Sequence, residues 1–306
     1  MEKENKVPFL TIFTPTYNRG YIISKLYTSL KMQTIKNFEW LVVDDGSADN
    51  TQELLEKWKK EDNDFDIIYC KKENGGKPRA INYGVEIARG RYFFMVDSDD
   101  WLKYDAVEKM LKWIKEIDQM DEYIGVGAAK AYPNGVYLKG TAPRVNQDGY
   151  VDATNLERAK YNMDVDMCEA YKTEIFKRFP MAEWAGEKFA PEQIALNEIA
   201  LRGYKLRWHK DIIYFCDYLE DGLTRGSKKL EKENPMGYAM MYNHKLKYDL
   251  PVKEKFHSAC QVIALSIYGK NPQYICKSNA KLLTAIALPI GMILALRRKV
   301  QFNRVE

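Results

Sequence analysis

Short apolar runs and amphipathic segments alternate along the N-terminal third of the chain. Residues 9–13 predict a strand, followed by a turn-like stretch from Pro15 to Gly20. Over residues 21–33, apolar side chains recur at Ile22, Ile23, Leu26, Tyr27 and Leu30, the spacing of one helix face. Residues 39–43 predict a second strand, ending in Asp44-Asp45-Gly46-Ser47. Asp49 or Asn50 can cap the next helix, whose apolar side is Leu54, Leu55 and Trp58. Residues 66–70 and 91–96 predict a third and a fourth strand. Between them Asn74-Gly75-Gly76-Lys77-Pro78 opens a helix over 79–88. The fourth strand runs into Asp97-Ser98-Asp99-Asp100, and a helix over 104–117 follows. Strands that are apolar throughout and separated by helices predict an α/β fold, its mostly parallel sheet covered on both faces.

Strand signals return at 125–132, 135–138 and 212–216, with helical candidates at 156–161 and 193–201. Beyond about Asp221 the pattern turns helical, most clearly over 238–248 and 253–268, and Gly222 and Gly226 punctuate a boundary near 225. The organisation read from this is 1–125, 126–225 and a helical extension over 226–306. The last apolar run, residues 282–296, lies between Lys281 and Arg297-Arg298-Lys299. At ~1.5 Å per residue it spans about 22 Å, short of a ~30 Å bilayer core, and Pro289 and Gly291 predict a kink. It reads as a membrane-surface helix, with a buried core helix or a contact between copies as alternatives.

Charge sharpens the division. Residues 226–306 carry 14 Lys+Arg against 5 Asp+Glu, a net +9, and the whole chain is +4, which leaves −5 for residues 1–225. A basic tail on an acidic body suits an anionic surface or is a solvated face. Mean hydropathy is −0.48, which excludes a polytopic membrane protein. The charged start, Met1 to Lys6, reads as lacking a secretory signal. Five widely spaced cysteines with no Cys-x-x-Cys pair read as reduced thiols of a cytosolic protein.

In a parallel α/β sheet the strand ends gather along one edge, where ligands bind. Asp44, Asp45, Asp97, Asp99 and Asp100 would meet there, and crowded carboxylates repel unless a cation or a ligand's donors neutralise them. Oxygen donors suit Mg²⁺ or Mn²⁺, with a diphosphate completing the coordination.

Five motifs in register carry a resemblance: Pro15-Thr-Tyr-Asn-Arg19, Val43-Asp-Asp-Gly-Ser47, Asn74-Gly-Gly-Lys77, Ala80-Ile-Asn-Tyr-Gly84 and Asp97-Ser-Asp-Asp100. The chain resembles glycosyltransferase family 2 strongly over 7–118. The likeness is fainter to about 225, where Lys188–Glu192 and Tyr218–Thr224 are similar to the acceptor half of bacterial polysaccharide-assembling members.

The resemblance implies a GT-A fold, a nucleotide-sugar donor, a divalent metal (Mn²⁺ or Mg²⁺) and inversion at the anomeric carbon. It implies that Thr14, Pro15, Tyr17 and Arg19 lie against the nucleotide and that Asp45 accepts from a uracil N–H. Gly76 and Lys77 would face phosphate charge. Asp97, Ser98 and Asp99 would face the ribose and metal, with Asp100 in direct metal contact beside Asp99. Inversion needs a base opposite the diphosphate. The matching position is Glu192, with Glu187 as competitor; Gln193 stands where the commoner motif has Asp. His209 could neighbour the metal but reads as structural, and His244 and His257 receive no role.

The implied activity is transfer from a nucleotide sugar, UDP-sugar by resemblance, to a glycan or lipid-linked acceptor in surface polysaccharide synthesis. The enzyme would be cytoplasmic and peripheral at the inner face of the plasma membrane, and could be oligomeric. A sugar-phosphate nucleotidyltransferase would want a Gly-rich basic loop after the first strand, where this chain has Pro15 to Arg19. A non-catalytic binding protein would be expected to lose a metal carboxylate or the base. Nucleic acid is not an expected partner, since the basic tail lacks a recognised module.

Overall fold

The computed structural model describes residues 7–217 and 227–303. The Tyr218–Thr224 motif and the Gly222/Gly226 boundary lie outside them. The chain divides into two compact units, Met1–Pro180 with Asn197–Asp217, and Met181–Leu196 with Tyr218–Glu306.

In chain order the elements are β1 (Leu10–Thr16), α1 (Ser24–Lys31), β2 (Phe38–Asp44), α2 (Thr51–Lys60), β3 (Asp66–Lys71), α3 (Lys77–Ile87) and β4 (Tyr92–Met95). They continue as β5 (Trp101–Leu102), α4 (Ala106–Ile117), β6 (Tyr123–Ala131), β7 (Tyr150–Ala153), β8 (Met167–Lys172), α5 (Thr173–Phe176), α6 (Gln193–Leu201) and β9 (Lys205–Phe215). The C-terminal helices are α7 (Ser227–Glu233), α8 (Pro235–Lys245), α9 (Val252–Tyr268) and α10 (Lys281–Phe302).

The strands form one sheet in the order β3-β2-β1-β4-β8-β6-β9-β5, with β7 on β9. The stretch β3-β2-β1-β4 is parallel, as the apolar strands predict. β8 is antiparallel to both β4 and β6, β6 and β9 are parallel, and the second half is therefore mixed. Every residue of β1 and β2 is buried, so helices must cover both faces. Helix α4 buries Val107, Met110, Leu111 and Ile114 against β6 and β9. Tyr27 stacks on Trp58 at 4.3 Å and on Trp40 at 5.9 Å.

One expectation needs correction, and two others hold with a change of type or length. Residues 135–138 form no strand: the chain turns at once after β6, Gly135 N–H donating to Tyr132 O at 2.8 Å, and leaves a single bridge from Ala131 to Tyr137. Residues 156–161 belong to a 3₁₀ helix, Asn155–Tyr161, closed at its start by a Thr154–Glu157 capping box. The strand signal at 212–216 is the end of the longer β9. Its charged first half was hidden because Arg207 is paired with Asp152 at 2.9 Å and the His209 ring stacks on Trp113, its Nε2 left without a hydrogen-bond partner among the described residues. Strands β5, β7 and β8 carry too short or too polar a pattern to be read alone.

In the second unit, α8, α9 and α10 share a core around Met236, Ile263, Leu265 and Ala287. Helix α10 continues through Pro289, whose ring lies on the exposed side.

Candidate active site

The parallel strands end along one edge of the first unit, and each end contributes differently. At the end of β1, Pro15 is buried in register with Val43. The Thr14 hydroxyl accepts from Trp40 Nε1 at 3.0 Å, so it serves the fold. Thr16 Oγ1, which the motifs did not single out, is buried with no hydrogen-bond partner among the described residues. Tyr17 is half exposed. Arg19 is anchored by its own N–H to Thr51 Oγ1 at 3.1 Å, and its guanidinium donates to Tyr21 Oη at 2.8 Å.

Both carboxylates at the end of β2 are heavily engaged. Asp44, fully buried, accepts from Ser47 N–H and Tyr69 Oη, each at 2.7 Å. Asp45 accepts from Lys72 Nζ at 2.7 Å, Gly75 N–H at 2.9 Å and Gly76 N–H at 2.7 Å. The backbone donors read as facing phosphate are therefore occupied by Asp45. Gly46 makes this turn possible: φ is +87°, and a Cβ would lie 3.0 Å from Asn74 N.

The Asp45–Gly76 bond leads directly to Lys77, the first residue of α3. Its ammonium pairs with Asp97 at 2.8 Å, beyond the end of β4. Tyr214 of β9 ties the same loop from the other side. Its hydroxyl accepts from Asp97 N–H at 3.0 Å and donates to Asp100 Oδ2 at 2.6 Å. Lys130 of β6 lies 4.2 Å from the Tyr214 ring centroid. Ser98 and Asp100 are buried.

The charges in this loop are unevenly compensated. Burial would raise Asp97, but Lys77 and Lys130 outweigh it and hold the carboxyl below its ordinary range. Asp99 is raised by burial and by Asp97 beside it. Asp100 is pushed up to about 7 by burial, with Lys130 pulling it down and Asp97 and Asp99 pushing it up. Burial would lower Lys130, yet Asp97 and Asp100 raise it. Lys130 and Tyr214 escaped the motif reading. A lysine in a strand otherwise made of Tyr, Ile, Gly, Val and Ala was the available signal.

These residues fit a hard divalent cation in kind. Their donors are carboxylate oxygens, and Asp99 and Asp100 are raised first by burial and only then by neighbouring carboxylates, an environment in which a bound cation would favour the charged forms. Among the described residues no group of three or more acidic, His or Cys side chains stands ready to hold an ion alone.

The two base candidates belong to the second unit. Glu187 spans the N-terminus of α8, accepting from Met236 N–H and Gly237 N–H, each at 2.8 Å, and burial raises its carboxyl. Glu192 is half-buried immediately before α6, and its carbonyl accepts from Leu196 N–H at 3.2 Å. His209 stacks on Trp113 at 4.0 Å and is pushed down to about 4 by burial.

The model of glycosyl transferase family 2 matches residues 11–179. The glycosyltransferase GlyG of Streptococcus pneumoniae is 32% identical over 109 residues, covering 36% of each chain. The chain spans less than half the length of the curated relatives it matches first. S. aureus TarS 1-349 in complex with UDP-GlcNAc superposes with a TM-score of 0.61 at 18% identity, over 94% of this chain and 81% of that one. The Pyrobaculum calidifontis mannosyltransferase PcManGT, in complex with GDP-Man and Mn²⁺, gives 0.56 at 19% identity, over 98% and 84%. These likenesses carry the fold, which is the GT-A fold.

Proposed function

Because this chain belongs to glycosyltransferase family 2, we propose that it transfers a sugar, with inversion, from a nucleoside diphosphate to a glycan or lipid-linked acceptor in surface polysaccharide synthesis. The observation that carries this reading is the geometry of the Asp97–Asp100 loop at the sheet edge, where Lys77 pairs with Asp97, the Tyr214 hydroxyl holds buried Asp100, and Asp99 lies between them. A UDP-sugar is the proposed donor; TarS has been crystallised with one. Tyr17 and Arg19 would lie along the nucleotide. Asp45 Oδ2 takes one hydrogen bond from the protein and keeps a lone pair for a base N–H.

Asp99 and Asp100 would hold Mg²⁺ or Mn²⁺, with diphosphate oxygens completing its coordination. Bound there, the ion would neutralise charge on the departing diphosphate. Lys77 adds a cation at the start of α3, whose preceding Gly75 and Gly76 N–H groups are already taken by Asp45. Asp97 holds that ammonium in place. The acceptor hydroxyl loses its proton to Glu192 as its oxygen bonds the anomeric carbon, and the bond to the diphosphate oxygen breaks. Glu192 is preferred over Glu187 because both Glu187 oxygens are engaged at α8. The proposed location is peripheral, on the inner face of the plasma membrane, where a lipid-linked acceptor would be met.

A donor panel tests the reading. UDP-, GDP-, dTDP- and CMP-sugars are compared by thermal shift with and without Mn²⁺. A UDP-sugar should raise the melting temperature, and more so with metal. A panel in which no nucleotide sugar shifts the transition would overturn it.

A further inference from the structure

Helix α10 is inverted relative to an ordinary surface helix. The residues it buries are mostly small: Thr284, Ala287, Gly291 and Ala295. At Gly291 a Cβ would lie 2.6 Å from Ile263 Cβ, so the absence of a side chain is what lets α10 approach α9. The large apolar side chains point the other way. Leu282 is 78% exposed, Ile286 62%, Ile293 52% and Leu296 70%. At about 3.6 residues per turn these four fall within roughly 80° of one another, and with Val300 they form a ridge about 27 Å long. Soluble proteins seldom leave a continuous apolar strip of this size uncovered.

The charge around the ridge says what covers it. Lys281 stands exposed at one end, Arg297 and Lys299 at the other, and none has an acidic partner among the described residues. Arg298 is turned inward to Glu231 and Gln261. From Lys255 to Val305 the sequence carries eight Lys+Arg and no Asp or Glu. A second copy docked on the ridge in either direction would bring basic ends against basic ends. Among the described residues no helix is long and apolar enough to cross a membrane.

We propose that the outward face of α10 docks on a bilayer containing anionic lipid, the helix lying in the interfacial plane. Leu282, Ile286, Ile293 and Leu296 enter the acyl boundary, and Lys281, Arg297 and Lys299 meet the headgroup phosphates. This deepens the peripheral placement proposed above and rests on that reading for its location, not for the transfer chemistry.

Flotation of the full chain with phosphatidylcholine vesicles, with or without phosphatidylglycerol, tests it at ~0.1 M and ~1 M salt, where the screening length falls from about 10 Å to 3 Å. The protein should float with the anionic vesicles and several-fold less at high salt. The variant R297E/K299E should bind about tenfold more weakly or worse. I286Q/I293Q/L296Q should lose binding while keeping its melting temperature and its shift with UDP-sugar and Mn²⁺. The proposal is overturned by failure to float with either vesicle, or by the triple variant floating as well as wild type. A dimer that this variant makes monomeric, and that does not float, overturns it too. Flotation without any nucleotide-sugar binding would sink the transfer reading and leave this one standing.

Discussion

Two acidic strand ends, alike in sequence, are put to opposite uses. At the end of β2, Asp44 and Asp45 accept five hydrogen bonds between them, from Ser47, Tyr69, Lys72, Gly75 and Gly76. Beyond β4, Asp99 has no side-chain partner in the described residues, and Asp100 has only the Tyr214 hydroxyl. A buried carboxylate surrounded by donors stabilises a turn. One buried beside other carboxylates has its charged form disfavoured, and a cation bound there would relieve that cost. Glu187 falls with the first group, its two oxygens accepting from backbone N–H groups at the start of α8.

The largest expected effect tests the second kind of carboxylate. Asp99→Asn and Asp100→Asn should each lower transfer by ~10² or more, on the scale of losing an electrostatic stabiliser, with the melting temperature near or above wild type. Full turnover in either variant would place that residue with the scaffold. Next comes the pair in the second unit. Glu192→Gln should retain donor binding and lose transfer by ~10² or more. Glu187→Gln should keep transfer and lose about 1–2 kcal/mol of stability in chemical denaturation, since an amide accepts less well at a helix start. Swapped outcomes would exchange their roles.

A smaller effect is expected at β2. Asp45→Asn should cost about 2 kcal/mol of stability, because its charged acceptor holds an ammonium and two backbone N–H groups. Denaturant midpoints of Asp45→Asn and Asp99→Asn, measured side by side, would show whether only the first destabilises.

The last effect is one of pH dependence and concerns His209. Its folded-state pKa lies near 4, below the ordinary 6.5, so the unfolded chain binds the extra proton between those values. Stability is therefore full above pH 6.5 and falls as pH drops toward 4, by up to ~1.4 kcal/mol per unit. His209→Phe, which keeps a ring on Trp113, should flatten this slope between pH 7.5 and 5. An unchanged slope would mean that His209 is not the titrating group.

The parallel half of the sheet was legible in the chain because its strands are apolar on both faces, a pattern that needs no partner to be read. Its acidic ends were legible for the same reason, since each follows such a strand directly. The mixed half was not: β7, β8 and the start of β9 alternate charged residues whose burial depends on one another, as Arg207 depends on Asp152. The resemblance already gave Asp45, Asp97, Asp99 and Asp100 different roles and left Asp44 as a structural neighbour, but how far each carboxylate is satisfied was decided by tertiary contacts. Whether a carboxylate is satisfied depends on donors from Lys72, Lys77, Lys130 and Tyr214, residues distant in the chain. The composition of α10 likewise set its apolar and basic character. Which side faced outward was decided by packing, because Ala287, Gly291 and Ala295 let α9 approach and left the larger side chains exposed.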